Sequence, residues 1–235
     1  SPSVAHAGTA LIGEGNGAAS PEHARGNYAR SKATAELAVL AANGTKLASG
    51  STLRVGALRP HLIWGPGDTQ LVERILDRAQ SGRLPLLSGG TGLIDTLYID
   101  NAADALVRGY ERLESIAGRA LVVTNGQPRT IAELMSGFCT AVGVPAPRFS
   151  VPAPTAAFVG RLIEKVWGRL PKSVTAGDEP PMTKFLAEQL STAHWFDQRL
   201  TRELLQWEPA VTIDEGYRRL GLFYGDKYSR SSSAV

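Results

Sequence analysis

The 235-residue chain has a single cysteine, Cys139. That excludes an internal disulfide and suits a reducing compartment. Cys139 falls in the apolar helical pattern 131–142, so it reads as a buried, inert thiol. No stretch approaches the roughly 20 uninterrupted apolar residues of a membrane-spanning helix, and no signal peptide is read at the start. The charges are nearly balanced, with 25 Lys+Arg against 22 Asp+Glu, and are scattered rather than blocked. Without a basic run or aromatic–basic alternation, nucleic acid is not implied as a partner. No His, Cys, Asp and Glu cluster has metal-ligand spacing, so no metal is expected. These absences leave a globular cytoplasmic protein of ordinary composition, 43% hydrophobic, with no internal repeat.

What is present is organised around Tyr28-Ala29-Arg30-Ser31-Lys32, at the head of the run Asn27–Asn43. The run is rich in Ala, Leu and Glu, has no Pro or internal Gly, and ends at Gly44, which predicts a helix with a left-handed cap. Residues four apart on a helix share a face, so the Tyr28 phenol and the Lys32 ammonium lie together. A cation favours the ionised form of a phenol whose ordinary pKa is ~10, which suits proton exchange with a carbonyl or alcohol oxygen. Of the six tyrosines only Tyr28 has Lys four residues later. On this pentapeptide alone, a solvated surface Tyr and Lys is the better reading.

Taken in order, Ser1–Ala5 reads as the end of a buried strand. The loop 8–21 contains Gly13-Glu14-Gly15-Asn16-Gly17, which is no dinucleotide fingerprint, because Pro21, Glu22 and His23 stand where a helix should open. The segment Thr52–Leu58 predicts a buried strand. It runs through Arg59-Pro60-His61-Leu62-Ile63-Trp64 into Gly65-Pro66-Gly67-Asp68, where Asp68 caps a helix over 69–81 closed by Gly82. Short strands are expected at 84–87 and 96–99, then a helix capped by Asp100 through about Ala117, and a strand within 118–124. The capping boxes Thr130…Glu133 and Thr212…Glu215 open helices to Gly143 and to about Phe223. Four prolines within 144–154 mark a linker or crossing loop, and 155–170 has helical amphipathic spacing that suits a lid or core helix. Met182–Leu190 is a further helical candidate, and Asp197 caps one over 198–206. The alternation of strands and helices is an α/β pattern. The expected division is a catalytic domain at 1–143, a substrate-binding or lid region at 144–226 and a disordered tail at 227–235.

Four motifs in this order resemble the extended short-chain dehydrogenases: Ser1–Val4, Tyr28–Lys32, Arg59–Asp68, and Thr96-Leu97-Tyr98-Ile99-Asp100-Asn101-Ala102-Ala103-Asp104-Ala105. Ala35-Glu36 and Val39–Gly44 resemble the 3β-hydroxysteroid dehydrogenase branch. The resemblance covers roughly 1–223. It implies the C-terminal part of a Rossmann-like doubly wound parallel sheet with a small, mostly helical substrate domain. It also implies NAD or NADP as cofactor, and a homodimer paired through the Tyr28 helix. Under it Tyr28 exchanges the proton, Lys32 lowers its pKa and holds the nicotinamide ribose, and Ser1 orients the substrate carbonyl, with Ser3 as fallback. Pro60, His61 and Ile63 line the nicotinamide pocket, largely through backbone groups. The role of His6 stays open, while His23 and His194 read as structural or exposed. The family's Gly-rich phosphate loop, and the acidic residue that separates NAD from NADP, have no counterpart in these 235 residues. The segment alone is therefore expected to be a poor catalyst.

The activity so implied interconverts a secondary alcohol and a ketone on a bulky, apolar substrate, with a 3β-hydroxysteroid first. The segments 2–6 and 59–64 also resemble reductases of long-chain 2-alkyl-3-keto acids in bacterial olefin synthesis. Nucleotide-sugar epimerisation reuses the same Ser/Tyr/Lys set, but the apolar C-terminal region suits a diphosphate less well. A non-catalytic dinucleotide-binding protein is the remaining rival, disfavoured by an intact Ser1, Tyr28 and Lys32.

Overall fold

The structure is a computed structural model that describes residues 20–22, 27–152, 155 and 195–232, with side chains of the last helix described as far as Tyr228. Ser1, Ser3, His6, His23, His194, the expected helix at 182–190 and all but the first residue of that at 155–170 lie outside the described residues. Helix α1 (Asn27–Ala41) carries the Tyr28 pentapeptide, and Gly44 beyond its end has φ +85°. Strand β1 is Ala57–Pro60, shorter and later than expected. Residues 52–56 fold back on the helix end instead: Gly44 N donates to Leu53 O, Leu53 N to Thr45 O, and Thr52 bridges Lys46.

After β2 (Ile63–Trp64), the Asp68 carboxylate accepts the backbone N–H groups of Gln70, Leu71 and Val72 at 2.8, 3.0 and 3.4 Å. These bonds hold 69–71 as a turn, so α2 (Val72–Gln80) starts three residues later than expected. Then come β3 (Leu86–Leu87), β4 (Leu93–Ile94), β5 (Leu97–Tyr98) and α3 (Ile99–Glu111). The expectation that Asp100 caps one helix to Ala117 is corrected. Tyr98 occupies the cap position, and Asp100 sits in the first turn with its carboxylate on Arg219 at 2.7 Å. The helix breaks at Arg112 before the short α4 (Leu113–Ile116).

Strand β6 (Ala120–Val123) pairs in parallel with β1, Ala57 opposite Ala120 and Pro60 opposite Val123. Strands β2 and β5 are also parallel. Strand β7 (Arg129–Thr130) runs antiparallel to β4, and β8 (Ser150–Val151) parallel to β3. Parallel pairs joined through helices are the α/β arrangement expected. Gly65 lets the end of β2 approach α3, since a Cβ there would stand 2.3 Å from Ile99 Cγ2.

Helix α5 (Ile131–Val142) opens with the expected capping box: Glu133 N donates to Thr130 Oγ1 at 3.1 Å, and Thr130 N to Glu133 Oε2 at 2.8 Å. Cys139 within it is fully buried, and burial pushes its thiol up to about 11, so it is no nucleophile. Helix α6 (Arg199–Leu205) follows Asp197, whose Oδ1 accepts Arg199 N at 3.0 Å. Helix α7 (Ile213–Ser232) completes the described chain.

The last helix corrects the tail. Disorder was expected from 227, but α7 continues to Ser232 because Leu220, Tyr224 and Tyr228 recur every four residues on one buried face. The Tyr228 hydroxyl donates to Asp77 Oδ1 at 2.6 Å, and Lys227 pairs with Glu73 at 3.2 Å, which fastens the end of α7 to α2. Serine-rich composition hid this periodicity. Tyr228→Phe is expected to cost about 1 kcal/mol by removing that hydrogen bond, and Tyr228→Ala roughly 3 kcal/mol through lost burial, both read by urea unfolding.

Candidate active site

The Tyr28 face is built as the helical spacing requires. Lys32 Nζ lies 5.7 Å from the centroid of the Tyr28 ring, and the phenol is 77% exposed. Of α1 only Ala33 is buried, so apolar contact anchors the helix weakly. A paired charge adds to it. Arg59 on β1 donates through Nε to Glu36 Oε2 at 2.6 Å and through Nη2 to Oε1 at 2.5 Å, with both side chains largely shielded from solvent. This bidentate pair ties the helix bearing Tyr28 and Lys32 to the strand that leads into Pro60.

The turn from Pro60 to Ile63 leaves the carboxyl end of β1, where open α/β sheets place their ligands. Pro60 and Ile63 are exposed. Leu62 has φ +45°, a left-handed conformation costly for a branched side chain, and such strain persists only where the surroundings impose it. Three hydrogen bonds do so: His61 N to Val123 O at 3.1 Å, Leu97 N to Leu62 O at 3.2 Å, and His61 Nδ1–H to Asp95 O at 2.6 Å. The imidazole edge also meets Phe196, with ring centroids 5.0 Å apart. Burial lowers the His61 pKa, only partly offset by the Asp95 carbonyl, so the ring is neutral near pH 7 and donates from Nδ1. A neutral ring held this way orients the turn.

Beneath the turn lie residues that sequence reading missed. Asp95 is buried, its carboxylate accepting the Thr124 hydroxyl at 2.7 Å and Gln127 N at 3.3 Å. Asn101 and Asn125 are buried as well. Asn101 Nδ2 donates to Asn125 Oδ1 and to Val211 O, Asn125 Nδ2 also donates to Val211 O, and Val211 N returns a bond to Asn101 Oδ1. Trp64 Nε1 donates to Thr96 Oγ1 at 2.8 Å. The available signal was a polar pair, Asp95-Thr96, set between the apolar pairs of β4 and β5. Ser1, assigned to the substrate carbonyl by resemblance, lies outside the described residues, so the structure brings together Tyr28 with Lys32, and Pro60 with His61 and Ile63.

Among the described residues no group of three or more His, Cys, Asp and Glu could hold a metal ion, and no helix is long and apolar enough to cross a membrane. The described residues thus present an exposed Tyr–Lys face on α1 and, at the carboxyl end of β1, a strained turn braced by hydrogen bonds.

The chain is 43% identical over 225 residues to a 2-alkyl-3-oxoalkanoate reductase of Stenotrophomonas maltophilia, an alignment covering 93% of this chain and 65% of that protein. A protein of the same description from Shewanella oneidensis is 38% identical over 198 residues, covering 82% and 50%. The chain thus spans about half to two thirds of the length of these relatives. The crystal structure of gox2253 matches 97% of this chain and 64% of its own with a TM-score of 0.66 at 18% identity, a likeness of fold within the Rossmann-like class. The family model described as the 3-beta hydroxysteroid dehydrogenase/isomerase family matches residues 5–153, and with relatives this similar the chain belongs to that family.

Proposed function

We propose that this chain supplies the proton-transfer and substrate side of an NAD(P)-dependent cytoplasmic oxidoreductase that reduces the ketone of a long-chain 2-alkyl-3-oxo acid. The observation that carries the reading is the 43% identity, over 93% of this chain, to a protein described as such a reductase. The sequence motifs put a 3β-hydroxysteroid first. The family description keeps that as the second reading, while the greater identity to the oxoalkanoate reductases reverses the order. Because the chain spans 65% and 50% of these relatives, the activity is proposed for the protein at their full length.

In this reading a bound nicotinamide would supply hydride chemistry at the ketone carbon. Tyr28 donates its phenolic proton to the ketone oxygen as negative charge develops there. Lys32, on the same face, holds the ribose. Ser1 donates a hydrogen bond to the same oxygen and orients it. Pro60 and Ile63 offer backbone and apolar contact to the nicotinamide face, on a turn that His61 holds still.

The test uses the polypeptide extended upstream of Ser1 to the length of its relatives, titrated with NADH and NADPH by nicotinamide fluorescence. Addition of a 2-alkyl-3-oxo acid then oxidises the bound cofactor. Turnover with a 3β-hydroxysteroid and NAD, but not with the oxo acid, would install the second reading. A folded protein that binds neither cofactor would overturn both.

A further inference from the structure

Asp95 is buried to 1% exposure, and its polar atoms bond the turns that leave two adjacent parallel strands, β1 and β6. Its main-chain oxygen accepts His61 Nδ1–H, fixing the turn that leaves β1. Its carboxylate accepts the Thr124 hydroxyl and Gln127 N, fixing the turn that leaves β6, within which Gly126 N donates to Thr124 Oγ1 at 3.1 Å. The ladder between these ends closes through His61 N to Val123 O and Asn125 N to Thr96 O. The charged and titratable groups facing Asp95 are His61 from the turn after β1 and the guanidinium of Arg202 from α6, itself paired with Glu208 at 3.1 Å. The turn after β6 faces it with neutral donors. Burial pushes the Asp95 carboxyl up to about 6 against the pull of Thr124, the backbone donors and Arg202.

A group that only filled space would be replaced here at lower cost by Asn, which keeps an acceptor for Gln127 N and buries no charge. The carboxylate instead holds the Thr124–Gln127 turn, while the main-chain oxygen of the same residue holds, through His61, the turn that carries the strained Leu62 backbone. We propose that Asp95 is a positioning residue for the nicotinamide end of the site, holding the Pro60–Ile63 turn through the His61 ring and the Thr124–Gln127 turn through its carboxylate. This rests on the cofactor reading given above.

Asp95→Asn, Thr124→Val and Thr124→Ser in the full-length protein test it by NADPH affinity, with urea midpoints at pH 4.5 and 7.5 as a readout independent of cofactor and turnover. Asp95→Asn and Thr124→Val are expected to weaken NADPH binding about tenfold to a hundredfold, the scale on which misplacement of supporting groups acts, while Thr124→Ser restores it. A folded-state pKa raised to about 6 stabilises the fold below the unfolded value near 4, and that contribution is lost as pH rises through 6. Asp95→Asn lacks this dependence, so its urea midpoint is expected to gain on the parent protein between pH 4.5 and 7.5. Midpoints that move while every variant binds NADPH as the parent does would overturn the proposal and leave Asp95 a structural carboxylate. Midpoint differences independent of pH would remove the buried charge it relies on. If Asp95→Asn does not fold, the contrast between Thr124→Val and Thr124→Ser decides. A parent protein that folds but does not bind NADPH rejects the cofactor reading itself, and the positioning role with it.

Discussion

Tyr28→Phe is expected to lower kcat of the full-length protein by about a hundredfold to ten-thousandfold, the range that a positioned proton donor contributes. Its effect on NADPH affinity should stay within about twofold, because the change removes one exposed hydroxyl and leaves the ring beneath Lys32 in place. The urea midpoint should not move, since Tyr28 is 77% exposed and contributes little to the core. That combination separates a catalytic role from a structural one: kcat falls while affinity and stability hold. Steady-state kinetics with a 2-alkyl-3-oxo acid, beside fluorescence titration of NADPH, provide both readings. Turnover that survived the substitution would remove Tyr28 from the chemistry.

Phe138→Ala should have the largest effect on folding, about 3–5 kcal/mol by urea unfolding. Phe138 is fully buried in α5, meeting the Trp64 ring at 4.9 Å and the Tyr217 ring at 5.7 Å, both edge-on. It therefore joins three elements, α5, β2 and α7, and its removal leaves a cavity that rigid aromatic neighbours cannot fill by collapse. The effect should reach the site. Trp64 follows the Pro60–Ile63 turn directly and bonds Thr96 beside Asp95, so a loosened Trp64 releases the turn from one side. Leu222→Ala is the contrast. Leu222 is also apolar and lies on α7, but it is 74% exposed, and the change should stay within about 0.5 kcal/mol.

Local sequence carried much of the fold. Helix α1 and Gly44, the Thr130–Glu133 capping box and the apolar strand β6 were legible because each depends on residues within one or two turns. Where expectations shifted, a distant partner was responsible. Asp100 left its cap role for Arg219, 119 residues away, and the expected disordered tail became helix because Tyr224 and Tyr228 found α2 and α5. Residues 52–56 were apolar enough for a strand, yet Leu53 spent its backbone hydrogen bonds on Gly44 and Thr45, just past the end of α1.

The site divides in the same way. The Tyr28–Lys32 pair was readable because four residues make one helical turn, a spacing written in the chain itself. The Glu36–Arg59 pair, the His61–Asp95 bond and the Asp95–Thr124 bond join residues 23, 34 and 29 positions apart. No periodicity encodes such partners. By itself the sequence determined helix α1, the capping box that opens α5 and which side chains share a helical face, because those follow from steric and hydrogen-bond rules acting over a few residues. Only the tertiary structure decided which carboxylate is buried, which imidazole is pinned neutral and which turn bears strain, because burial and long-range hydrogen bonds exist only once parallel strands have paired.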